Sequence, residues 1–171
     1  MGDVNSDSDL IDDREFLAPP ALVFEAWTKA EHFARWFAPH GVTVPFCEID
    51  ARAGGEIRFD HQSSSHRISI KGVFDEVIAP HRLRFTFTFV DADGQPTAPP
   101  PVPDWPLGAH IVMTVELQPT RRGTRMIVRQ HVLESALAGL PSTKRHHDMA
   151  GDGWRETAER LVAYLEGWSW Q

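Results

Sequence analysis

Residues 146–148 read His-His-Asp, and Gly151, Gly153 and Trp154 follow closely. Imidazole beside carboxylate is the chemistry of transition-metal sites, so metal binding is the first possibility to weigh. The spacing argues against it. The nine histidines stand at 32, 40, 61, 66, 81, 110, 131, 146 and 147, and no two are three or four residues apart. That is the separation that puts two imidazoles on one helix face. His146 and His147, as helix neighbours, point about 100° apart. No metal and no other cofactor is expected. Nucleophilic catalysis fares no better. There is no Gly-x-Ser-x-Gly elbow, and the single cysteine, Cys47, lies in a strand-like run where it reads as a small buried apolar residue. Gly54-Gly55 reads as a turn, because neither Gly-Lys-Ser nor a helix start follows it.

What remains is a pocket with a few polar spots. His61 ends an alternating apolar stripe with Ile57 and Phe59, Gln130 interrupts another, and His147 stands seven residues before Trp154. On an ideal helix those two lie within about 20° of each other. Polar groups of this kind in an aromatic cavity orient a ligand, and a histidine among them is also equipped for acid–base work. The candidate ligand-contacting set is Trp36, Phe59, His61, Phe85, Phe87, Met113, Met126, Gln130, His147 and Trp154. No catalytic residue is assigned.

The elements that must position these residues are legible. A first strand is expected over residues 10–17, and Pro19-Pro20 then stop it and open a helix, ALVFEAW. Thr28 and Glu31 have capping-box spacing and predict the start of a second short helix, EHFARWF. Alternation predicts strands in GGEIRFDHQ, in HRISIKGVFDEVI with a bulge or bend at Gly72, and in HRLRFTFTFV, where Leu83, Phe85, Phe87 and Phe89 face one way. AHIVMTVELQ and TRMIVRQHVL form a further pair across TRRG. Their inward sets are Ile111, Met113, Val115 and Leu117, then Met126, Val128, Gln130 and Val132. Residues 91–108 carry six of the thirteen prolines and are expected to form an extended, mobile surface loop with Trp105 inside it. A helix over about 142–168 repeats His147, Ala150, Trp154, Ala158, Leu161 and Leu165 on one face, opposite Arg155, Glu156, Glu159 and Arg160. Gly151 and Gly153 let it bend and leave room above the sheet. This order of elements predicts an α+β fold in which a curved antiparallel sheet grips a long C-terminal helix, with a pocket between them.

Composition bounds the rest. A formal net charge of −7 excludes the global basic field that recruits nucleic acid or anionic membrane. The short clusters RLR and TRRGTR do not alter that reading. A lone cysteine with no signal-peptide or membrane-spanning run predicts a cytoplasmic protein. Residues 1–9 read as a disordered tail, in which the myristoylation-like MGDVNS is a chance match, and residues 10–171 as a single domain.

Three stretches carry a resemblance to a known family. REFLAPPALVFEAWTKAEHFARWFAPHG at 14–41, CEIDARAGGEIRF at 47–59 and GDGWRETAERLVAYLE at 151–166 fall in the order found in Aha-type domains. These are named for an activator of a heat-shock chaperone ATPase and belong to the START-like (SRPBCC) superfamily. The resemblance implies a helix-grip fold with a cavity between sheet and helix. Many relatives bind small apolar or amphipathic molecules there, and some do chemistry. The leading expectation is a non-catalytic binding domain for a small hydrophobic or amphipathic ligand. An enzyme of the same fold using His and carboxylate acid–base chemistry, and a chaperone-interacting module, are the alternatives.

Overall fold

The computed structural model describes residues 10–99, 107–133 and 143–167, with side chains in the last stretch described from residue 153. The order is β1 (Leu10–Phe16), α1 (Pro20–Thr28), α2 (Ala30–Trp36), β2 (Cys47–Ile49), β3 (Glu56–Gln62), β4 (Arg67–Ile78), β5 (Arg82–Val90), β6 (Ile111–Pro119), β7 (Thr124–Val132) and α3 (Thr143–Gly167). The strands form one antiparallel curved sheet in the order β1-β7-β6-β5-β4-β3-β2. The α+β helix-grip arrangement expected from the sequence is the one found.

Local chemistry explains the elements. Pro19 is extended (φ −68°, ψ 158°) and Pro20 opens α1, where a missing N–H costs nothing. The capping box expected at Thr28 does not form. Thr28 Oγ1 donates back to the Phe24 carbonyl inside α1, and extended Lys29 makes the break between the helices without a side-chain cap. Its hydroxyl is claimed one turn earlier, a common alternative for threonine in a helix. The irregularity in β4 falls between Phe74 and Glu76 rather than at Gly72. Gly72 is needed for close approach instead, since a Cβ there would sit 2.5 Å from the Thr86 oxygen and 2.9 Å from Phe87 Cβ.

Pairing partners share a face of the sheet, so register shows which side chains meet. Phe74, Phe85, Met113 and Gln130 form one row across β4 to β7. Gly72, Phe87, Ile111 and Val132 form the next toward one end. Toward the other end Leu83, Val115 and Val128 lead to Asp12 on β1, and Leu117 and Met126 lead to Arg14. This concave face holds the core with α3, whose Trp154, Ala158, Leu161 and Leu165 are buried on it. Each large side chain so enclosed contributes roughly 1.5–3 kcal/mol.

The first part of the proline-rich segment is compact rather than extended. Asp91 Oδ1 accepts from the amides of Asp93 and Gln95, and the Thr97 amide donates to the Phe89 carbonyl. Trp105 and the rest of 100–106, like residues 1–9, lie outside the described residues.

Candidate functional site

The apolar candidate residues on β5, β6 and β7 lie on the concave face, as the floor of the site, and are part of the buried core. Phe85, Met113 and Met126 are 2% exposed or less, and Phe87 is nearly so. Gln130, beside Met113, is half-buried. The wall is an aromatic cluster that joins α1, α2, β3 and α3. Trp27 meets Trp36 edge-on at 4.8 Å and stacks with Trp154 at 5.8 Å. Phe37 stacks on Phe33 at 4.3 Å and meets Phe59 at 5.4 Å, and Phe59 lies 5.3 Å from His61. Trp36 donates its indole N–H to the Ala26 carbonyl at 2.9 Å. The indole nitrogens of Trp27 and Trp154 are buried and have no acceptor among the described residues.

Polar groups around this cluster have defined states. His61 Nε2 donates to the Phe37 carbonyl at 2.8 Å. Burial holds its pKa below the ordinary histidine value, against the opposing pull of that bond, so the ring is neutral near pH 7. The Cys47 thiol is pushed up to about 12 by burial first, then by Glu31 and Glu48, and is no nucleophile at neutral pH. No group of three or more histidine, cysteine, aspartate or glutamate side chains among the described residues is arranged to hold a metal.

The structure therefore brings the candidates together in two sets. Trp36, Phe59, His61 and Trp154 belong to the aromatic wall; Phe85, Phe87, Met113, Met126 and Gln130 belong to the floor. His147, with His146, Asp148 and Gly151, falls on α3 where side chains are outside the described residues. Gly153 is described, and a Cβ there would meet nothing within 4 Å.

Several contacts escaped the sequence reading. Trp27, Phe33 and Phe37 complete the wall, and the aromatic density of residues 24–37 was the available signal. The charged face of α3 also makes contacts, at Arg160, Glu156 and Glu159. Arg160 Nη1 donates to the carbonyls of Ala38, Pro39 and Val42 at 3.0, 3.3 and 2.8 Å. The His40 ring lies 3.8 Å from Glu156 and 3.4 Å from Glu159. Tyr164 and His32 share a 2.6 Å hydrogen bond. A separate hollow of about 410 Å³ on the β2–β3 hairpin is lined by Glu48, Asp50, Glu56, Arg52 and Arg58, too polar to hold an apolar molecule.

The family described as "Activator of Hsp90 ATPase homolog 1-like protein" matches residues 17–166. Solved structures align over nearly the whole chain. A protein from Nitrosomonas europaea is 27% identical over 91% of this chain and 92% of its own, with a TM-score of 0.68. One titled an AHSA1 protein, from Silicibacter pomeroyi, is 21% identical over 91% and 95%, at 0.72. A solution structure from Arthrobacter aurescens is 22% identical over 98% and 92%, at 0.73. No protein of curated function matches.

Proposed function

The chain belongs to the Activator of Hsp90 ATPase homolog 1-like family, and from that premise we propose that it is a non-catalytic binding domain for a small apolar or amphipathic molecule held between sheet and α3. Domains of this family bind small ligands or chaperones generally. The observation that carries the small-ligand reading is the Trp154 indole N–H, buried without an acceptor among the described residues beside Trp27, whose N–H is in the same state. An unmet buried donor costs about 1–3 kcal/mol. A ligand carbonyl or hydroxyl seated against the aromatic wall relieves that cost, while its apolar body lies on Phe85, Phe87 and Met113. His147, on the preceding turns of α3, is the further polar contact of this reading.

The polar groups favour binding over catalysis. His61 has its Nε2 committed to a backbone carbonyl, and the neighbouring Asp60 carboxylate is engaged by Arg67 and Ser69. Among the described residues the large exposed apolar side chains are Leu10, Leu17, Phe46, Val73, Ile78 and Leu107, and only Val73 and Ile78 share an element, namely β4.

The test is an NMR screen of small amphiphiles against isotopically labelled full chain. The expected result is a shift of the Trp154 indole and Gln130 side-chain amide resonances. Trp154→Phe should weaken a carbonyl-bearing hit about fivefold, the worth of one hydrogen bond. Hits that map only to the β2–β3 hollow would overturn the reading.

A further inference from the structure

β1 carries charge on the side of the sheet that faces the core. Asp12 pairs in register with Val128 and Arg14 with Met126, and both partners are fully buried members of the core. Phe16, two residues further on the same side, is buried too. Asp12 and Arg14 therefore project from the concave face, not from the outer one. Their side chains are 9% and 29% exposed, and Arg14 Nε donates to Asp12 Oδ2 at 2.7 Å. That bond turns the guanidinium along the strand toward Asp12, away from the Phe16 end. Gln130 is the next inward position after Val128 on the adjoining strand, roughly 7 Å further along. The guanidinium, the carboxylate and the Gln130 amide thus occupy one corner of the floor.

The hydrogen-bonding capacity of this corner is mostly unspent. Among the described residues, Arg14 Nη1 and Nη2, Asp12 Oδ1 and the Gln130 amide have no hydrogen-bond partner. The Arg14 side chain is 29% exposed and Gln130 is half-buried, although both stand on the core side of the sheet. An apolar floor with a polar corner at this end suits a molecule with a polar head here, in addition to whatever group it offers the Trp154 indole.

We propose that Arg14, Asp12 and Gln130 form the head-group subsite of the ligand pocket and select a neutral head that both donates and accepts, such as a carboxamide. The inference rests on the ligand-binding reading above. The argument for neutrality is the charge balance. Asp12 already compensates Arg14, so a carboxylate head leaves one uncompensated negative charge in a half-enclosed site, and an ammonium head one positive charge. A carboxamide adds none. Its carbonyl accepts from the Arg14 Nη atoms, its N–H donates to Asp12 Oδ1, and Gln130 serves either group.

The experiment compares octanamide, octanoate and octylamine against the full chain, by titration followed through Trp154 resonances. Octanamide is expected to bind at least about fivefold more tightly than either charged probe. Asp12→Asn keeps the shape and leaves the site one positive charge, so octanoate should then overtake octanamide. Gln130→Leu should weaken octanamide about fivefold without changing the order of the charged probes. Melting curves establish that each variant is folded. If Asp12→Asn does not fold, the order in the unaltered chain and the Gln130→Leu titration decide. Equal affinity for all three probes overturns head-group selection and leaves ligand binding standing. Failure of every probe to shift Trp154 removes the ligand-binding reading, and this inference with it.

Discussion

His61 is caught between the rings of Phe37 and Phe59 with one nitrogen held by a carbonyl, and this makes it a pH sensor for stability. Burial lowers its folded-state pKa beneath the unfolded value of about 6.5. Between those two values the unfolded chain binds more protons than the folded one, so stability rises with pH there. The contribution is complete above about pH 6.5 and is lost as pH falls through the folded-state pKa. The melting temperature is therefore expected to drop between pH 7.5 and 5, and His61→Phe should flatten that slope. An unchanged slope in the variant would assign the effect to other groups. His61 was legible in the sequence as the end of a stripe, but its partner was not. A backbone carbonyl 24 residues away leaves no trace in residue type. Asp12 and Arg14 were equally hidden, because charges on a strand ordinarily mark its solvent side and only the register with Val128 and Met126 reverses that assignment.

Helix α3 shows what periodicity reveals and what it omits. Its apolar stripe was read correctly at Trp154, Ala158, Leu161 and Leu165. The opposite face showed only as a run of charge, Arg155, Glu156, Glu159 and Arg160, with no partner indicated. Arg160 reaches carbonyls of residues 38–42, and His40 sits between Glu156 and Glu159. A loop that follows α2 is thereby tied to the last helix by main-chain acceptors, which no side-chain pattern announces. Arg160→Ala should cost about 2–3 kcal/mol, the worth of charge-assisted bonds left unmade. Hydrogen exchange at Val42 should quicken more than exchange in the centre of β5. Arg160→Lys should recover only part of the loss, since a single ammonium cannot span carbonyls from several residues as the planar fork does. Protection at 38–42 that is identical in the alanine variant would show that the loop is held by other contacts. β5 was legible almost to its ends because period-two alternation and half-burial coincide in it, whereas β6 is buried on both faces over its first five residues. The break between α1 and α2 was located by composition and misattributed to a cap.

At the scale of the molecule, the aromatic wall joins parts of the chain that are far apart in sequence. Trp27 and Trp36 come from the first two helices, Phe59 from β3 and Trp154 from α3. Loss of any one layer exposes the rings of the others, so unfolding is expected to be a single cooperative event. Tryptophan fluorescence and far-ultraviolet circular dichroism should give coincident urea transitions. A fluorescence change that precedes the loss of strand signal would show that the helices detach first. The strand order has a consequence of another kind. It leaves β1 and β2 at the margins of the sheet among the described residues. A bare strand margin offers unpaired amides and carbonyls to neighbouring molecules and so seeds aggregation. β2 is only three residues long, too short a template to recruit a second chain, and β1 carries Asp12, Asp13 and Glu15 in seven residues. Asp12 and Asp13 are each held by an arginine, Arg14 and Arg125, and charged side chains on a marginal strand disfavour its pairing with another chain. The charge on β1 thus also makes this margin a poor template for polymerisation.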